Sequence, residues 1–290
     1  MPDIQSYEIK KMRNCSAIFS STHFANLIKN DDYSFLNSRI NSYEEISKKH
    51  ITTYLGYIKY VYSNLRKDYR NEYIYKNTLI NELLIKKYGL KDTIAINEFR
   101  VGNSIADIVL FNGTSKAFEI KTELDTEKRL DGQLEDYTKI FKQCYVVVSE
   151  NLIEKYLKID REIGIVALYS TSRSLKMREV RPAKVNEKID AETVIKAVRT
   201  SEYKAIVKEY YGKLPEMNDF NMFGICLDLI KAIPYNELNQ LFIKTIKKRK
   251  NNTSSLKLYN TELRQLALAM KLNPKNYQQL LEKLNQPIQY

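Results

Sequence analysis

Three short apolar runs lie close together between residues 93 and 121, and they constrain the fold more than any other feature. They read "TIAINEFRV", "IADIVLFN" and "KAFEIK", rich in Ile, Val and Phe, with Gly102-Asn103 and Asn112-Gly113 between them. Asn-Gly between apolar runs is a strong hairpin signal, so the spacing predicts three consecutive strands. A helix precedes them in "TLINELLIKKYG", ended by Gly89 as glycine commonly ends helices. A second helix is predicted over about 126–142, then the strand "CYVVVS", the helix "NLIEKYLKI" and the strand "IGIVALY". The order α-β-β-β-α-β, in which a helix joins two strands, favours a mixed sheet with a parallel pair.

Around this α/β core, residues 77–189, the chain reads as helical on both sides. The expected division is a helical N-terminal extension over 1–76, the core, and a helical C-terminal domain over 190–290. In the extension, Leu55, Ile58, Tyr62, Leu65 and Tyr69 recur at helical spacing. That spacing favours packing over base stacking for Tyr54, Tyr57, Tyr60 and Tyr62.

Hydrophobic residues make up 43% and charged ones 28% of the 290, an ordinary globular composition. No apolar run approaches the roughly 18–20 residues of a membrane span, and "MPDIQSYEIK" lacks the order of a signal peptide. A cytoplasmic protein with no membrane partner is the expectation. Cys15, Cys144 and Cys226 form no CxxC pair, and only His23 and His50 are histidines. Zinc chemistry and histidine-dependent nucleophiles are therefore disfavoured. The one Gly-Lys pair, Gly212-Lys213, is followed by leucine, so no phosphate-binding P-loop is present.

The net charge is +12. Such an excess suits a polyanion, most simply nucleic acid. A composition biased toward Lys, Asn, Ile and Tyr offers an alternative origin. The core contributes little of the excess: 19 basic against 17 acidic residues over 77–189. The flanks carry the rest, including "KTIKKRKNNTSS". Within the core, "TSRSLKMREVRPAK" places Arg173, Lys176, Arg178 and Arg181 after a strand. These are candidate phosphate contacts, or equally the charged protection of an edge strand.

The chemistry-bearing residues sit on the strands. Alternation puts Glu119 and Lys121 on one face, Phe118 and Ile120 on the other. Asp107 stands 12 residues before Glu119 in an otherwise apolar run, and a hairpin between brings the two together. Paired carboxylates repel unless a cation or proton stabilises them, and oxygen ligands without His or Cys suit Mg²⁺ or Mn²⁺. The backbone carbonyl of Ile120 and the side chain of Glu82 are further candidate ligands. Lys121 is placed to orient a water and offset charge on a phosphate. On the following helix Arg129, Gln133 and Tyr137 recur at four-residue intervals and would edge the site. The alternative is a surface Glu119–Lys121 ion pair, worth under about 1 kcal/mol.

From about 78 to 150 the chain resembles the PD-(D/E)XK nuclease superfamily. Asp107 in "IADIVL" matches its first acid, "EIK" its second motif, and "QLEDY", Gln133 to Tyr137, the QxxxY motif of the RecB-type branches. Ala106 replaces the namesake proline. More narrowly, the stretch is similar to a little-characterised bacterial nuclease-like family with a helical C-terminal part. The resemblance implies a restriction-endonuclease-like αβββαβ core and metal-dependent hydrolysis of nucleic acid, DNA first. It implies catalytic roles for Asp107, Glu119, Lys121, Gln133 and Tyr137; Arg129, from its place at the edge of the site, is a candidate nucleic-acid contact. Three scattered cysteines exclude the four-cysteine iron–sulfur cluster of some RecB-type branches. The alternative is a catalytically silent module that binds nucleic acid, a second copy or a partner protein. A phage-defence effector of the same chemistry is a third reading.

Overall fold

The computed structural model describes residues 4–42, 50–126, 128–172 and 174–289. Among the described residues five helices come first: α1 (Ile4–Ser16), α2 (Ser21–Asn30), α3 (Ser34–Asn41), α4 (Tyr54–Asp68) and α5 (Glu72–Leu79). Asn71 starts α5, its side chain accepting from the Ile74 N–H, which satisfies one of the unpaired donors of a first turn. The helix then runs on as a π-helical stretch, Ile80–Tyr88, which gives way at Gly89, φ 77°. The expected boundary at 76/77 therefore falls inside a helix whose start is set six residues earlier by its cap.

The predicted strands are present as β1 (Ile94–Val101), β2 (Ser104–Phe111) and β3 (Ser115–Lys121). α6 (Leu130–Thr138) connects β3 to β4 (Gln143–Ser149). It is shorter than the 126–142 expected, because Asp125 ties the preceding turn back to Thr122, accepting from both its N–H and its hydroxyl. A 3-10 turn (Glu150–Leu152) and the four-residue α7 (Ile153–Tyr156) replace the longer helix expected before β5 (Gly164–Ser170). β6 (Leu175–Arg181) returns as a hairpin. The six strands lie side by side in sequence order. The β3–β4 and β4–β5 pairs are parallel and the others antiparallel, so the fold is mixed α/β.

Helices cover both faces of this sheet. One face presents Ile108, Leu110, Phe118, Ile120, Tyr145 and Val147 to α1–α5. The other presents Val109, Phe111, Ala117, Val146 and Val148 to α6 and to helices from the last third of the chain. With both faces buried, the central strands read as continuous apolar runs. The last third supplies α8 (Ala191–Ala197), α9 (Thr200–Tyr211), α10 (Met222–Lys231), α11 (Tyr235–Lys247), α12 (Arg264–Ala269) and α13 (Pro274–Leu284). It divides between the layers: α8–α11 join α6, whereas residues 256–288 pack with α1–α5. Tyr54, Tyr57 and Tyr62 are buried in that second layer. The three cysteines are buried and unbridged. No helix among the described residues is long and apolar enough to cross a membrane.

Candidate functional site

The site forms where two strands part. The β2–β3 ladder pairs Ile108 with Phe118 and goes no further toward Asp107 and Glu119. β2 continues along β1 to Ser104, while β3 continues along β4 to Lys121. Asp107 and Glu119 stand at the next opposed position, on one face of the pair. At this fork the Asp107 side chain closes the gap: its Oδ2 accepts from the Ile120 N–H at 2.8 Å, a donor the ladder no longer serves.

Glu119, 3% exposed, lies at the base of the fork. Its Oε1 accepts from Lys121 Nζ at 2.8 Å and its Oε2 from the Tyr137 hydroxyl at 2.7 Å. Lys121 also donates to Gln133 Oε1 at 3.0 Å. The same Tyr137 hydroxyl lies 2.8 Å from the Ile105 carbonyl of β2, so one proton serves acceptors on both diverging strands. Burial first, then Glu119, holds the Tyr137 hydroxyl well above the usual phenol range. The Glu119–Lys121 contact is therefore a buried pair within a network, not the surface ion pair of the alternative reading.

Asp107 meets a partner from the opposite layer. Lys76 of α5 brings its Nζ to 2.9 Å from Asp107 Oδ1 and also pairs with Glu72, one turn earlier. The Asp107 carboxyl is pushed up to about 6: burial raises it most, Lys76 pulls it down in part, and Glu119 and Glu72 add to the rise. Burial opposes the charge on Lys76, but Asp107 and Glu72 outweigh it and hold the ammonium above its usual value. An open cleft of about 700 Å³ lies over the fork, lined by Asp107, Lys76, Glu72, Gln133 and Arg129 among others. Glu98 of β1 also lines it, at the register position opposite Asp107 and at φ 57°, a conformation uncommon for a side chain of this kind.

The structure thus brings together Asp107, Glu119, Lys121, Gln133 and Tyr137, with Arg129 on the rim. It does not bring Glu82 to them. Glu82 lies on the π-helical stretch, held by Lys86 at 2.5 Å and by Lys176 of β6 at 3.2 Å. The acid that α5 sends toward the fork is Glu72, ten residues earlier. The expected phosphate contacts on β6 are engaged as well. Besides Lys176, Arg178 pairs with Glu150 and covers the Tyr169 ring. Arg181 donates to the carbonyls of Ile163, Leu157 and Asp160. These side chains tie the edge strand to its neighbours, the alternative noted for them. Arg173 lies outside the described residues. Sequence reasoning missed Lys76, Glu72 and Glu98; nothing in "EYIYK" marks a contact with a strand 31 residues further on. Among the described residues no group of three or more His, Cys, Asp or Glu is placed to hold a metal ion.

A buried acid–lysine network at a strand fork, open to solvent through a polar cleft, defines a mixed α/β protein with a candidate polar active site. The chain belongs to the family of bacteriophage P4 protein cII, whose model matches residues 65–280. Protein cII of Enterobacteria phage P4 is 28% identical over 178 residues, 60% of this chain and 66% of that protein. The match thus spans just under two thirds of that relative. Among solved structures, SPO1766, a protein of unknown function from Silicibacter pomeroyi, is similar at a TM-score of 0.32 and 13% identity. That likeness covers 50% of this chain and 94% of that one.

Proposed function

We propose that this chain is a metal-dependent nuclease of the PD-(D/E)XK type, with α5 to β4 as its αβββαβ core and DNA as the first substrate to test. The observation that carries the reading is the fork: Asp107 opposed to Glu119, with Lys121, Gln133 and Tyr137 bonded around Glu119. The donors are hard oxygens, as Mg²⁺ and Mn²⁺ prefer. Mg²⁺ commonly uses one or two carboxylates and completes its shell with water and substrate phosphate, so a third protein acid is not required. Asp107 and Glu119 would hold the ion. When bound, it would offset charge on the phosphate and make a bound water more acidic. Lys76 would release Asp107 and remain with Glu72. Lys121, held by Gln133, would orient the attacking water, whose oxygen forms the new bond to phosphorus as the bridging P–O bond breaks. Tyr137 would fix the Glu119 carboxylate.

The Lys76 contact also favours a second reading, a catalytically silent module in which an ammonium permanently takes the place of the ion. One experiment separates the two. The purified chain is incubated with linear, circular and single-stranded DNA, and with RNA, in Mg²⁺ and in Mn²⁺, beside Asp107→Asn. Cleavage by the parent and none by the variant is the expected result. No cleavage of any substrate in either metal would overturn the nuclease reading.

A further inference from the structure

The cleft over the fork has no surplus positive charge with which to hold a polyanion: five acidic and four basic side chains line it. The surplus stands next to it, along β1. Ile94–Asn97 of β1 floor a second hollow of about 190 Å³, and Glu98, the next residue, lines the cleft. Arg199, Arg249, Lys250 and Lys271 surround that hollow. Arg199 also belongs to a third hollow, of about 680 Å³, with Lys204 and Lys208 of α9. Among the described residues no acidic side chain lines the second or the third.

Most of these charges are available. Arg249 is committed to Glu202, both contacts at 2.7 Å. Arg199, Lys204, Lys208, Lys250 and Lys271 enter no salt bridge among the described residues. That contrasts with the β6 edge, where Lys176 and Arg178 have acid partners and Arg181 is spent on backbone carbonyls. Neutral groups accompany the charges: Thr200, Ser201 and Asn97. Asn252, buried in the wall of the second hollow, leaves its Oδ1 without a partner there. Among the described residues none of the large exposed apolar side chains lies in either lining, whereas a surface that enters a lipid interface presents them.

We propose that the β1 edge is a nucleic-acid track, separate from the fork. Arg199, Lys204, Lys208, Lys250 and Lys271 bind the phosphate backbone of a strand that continues over Glu98 toward Asp107. Only the last clause, delivery to the fork, rests on the nuclease reading. Binding by the track requires neither metal nor cleavage.

The test is made on the full chain carrying Asp107→Asn, in a chelator, with fluorescent duplex DNA, single-stranded DNA and RNA. A five-fold alanine variant of the track is compared with five alanines at scattered exposed lysines, Lys29, Lys91, Lys158, Lys188 and Lys275. With about five phosphate contacts, affinity falls by two to three orders of magnitude between about 50 and 200 mM salt. The track variant loses that dependence and binds at least about 100-fold more weakly at low salt, while the scattered variant loses far less. A second variant, Lys250→Ala with Lys271→Ala, leaves half-buried Lys204 alone and gives a smaller loss in the same direction, with an unchanged melting temperature. Equal weakening by track and scattered variants would overturn the proposal. So would a parent that binds anionic vesicles and no nucleic acid. Binding through the track without cleavage in the Asp107 parent would retire only the nuclease reading. Cleavage with unchanged KM by the track variant with Asp107 restored, in Mg²⁺, would retire only the track.

Discussion

Burial holds the Asp107 carboxyl near pH 6, against about 3.9 in an unfolded chain. Between those values the folded chain holds a proton that the unfolded chain has lost. The stabilisation from this proton is complete below about pH 4 and gone once the pH has risen past about 6. Asp107→Asn, always neutral, lacks this dependence. Thermal melts of both chains without metal should show the variant gaining on its parent as the pH rises through that window. A constant difference would show that Asp107 titrates as an ordinary carboxylate. Under the nuclease reading, Mn²⁺ affinity rises through the same window and levels above it. Lys121 bears on a different quantity. Lys121→Met leaves Glu119 buried without its cation, which costs on the order of 3–5 kcal/mol. Adding Glu119→Gln should recover much of that, measured by urea unfolding. A single-variant loss under about 1 kcal/mol would return the pair to the surface type. Any fall in cleavage must therefore be read on chain shown to be folded.

Among the elements, the β1–β2 turn fixes one wall of the cleft. Gly102 takes φ 57°, and a Cβ there would lie 3.1 Å from Asp136 of α6, which accepts from Ser104 at 2.7 Å. Gly102→Ala meets both the strained backbone and the carboxylate, so it should cost more than about 1 kcal/mol. Asp136→Ala placed in that background should cost less than it does alone, because the two share one contact; strict additivity of the unfolding free energies would refute the coupling. The strands themselves were legible because their signals are local: alternation in "KAFEIK", an Asn-Gly turn, and a 12-residue return from Asp107 to Glu119. The opposed position of those two acids follows from that register. The partner on α5 was not legible. Its helix starts at the Asn71 cap and changes to π geometry at Ile80, so the acid chosen from the apolar pattern, Glu82, lies nearly three turns past Glu72. Counting apolar residues finds a helix but not which end of it faces a strand. Likewise the run from Lys176 to Arg181 reads equally as phosphate contacts or as edge protection until its partners, Glu82, Glu150 and a set of carbonyls, arrive from elsewhere in the chain.

At the scale of the molecule, the layer over Ile108, Leu110 and Phe118 is built from both flanks of the chain. Leu256, Leu263, Leu266, Leu280 and Leu284 are buried in it, and Thr53 forms an antiparallel bridge with Pro287. Leu266→Ala should cost about 2–5 kcal/mol by urea unfolding. A chain ending at residue 252 should show no cooperative transition; one that melts like the parent would make the layer independent of its last helices. α5 itself is pinned by the far flank. Asn77 donates to the Thr261 carbonyl at 2.8 Å and accepts from the Gln265 N–H at 2.9 Å, one residue from Lys76. That linkage has a consequence for biosynthesis. A chain leaves the ribosome from its N-terminus, so β2 and β3 are in the open long before Thr261 and Gln265 have been translated. Until then only Tyr62 holds the Asn77 side chain, and α5 lacks the far-flank contacts that fix it beside Asp107. The nascent chain therefore carries Lys76 and its acids before the contacts that complete the α5 anchorage, and the finished arrangement is withheld until translation has passed Gln265.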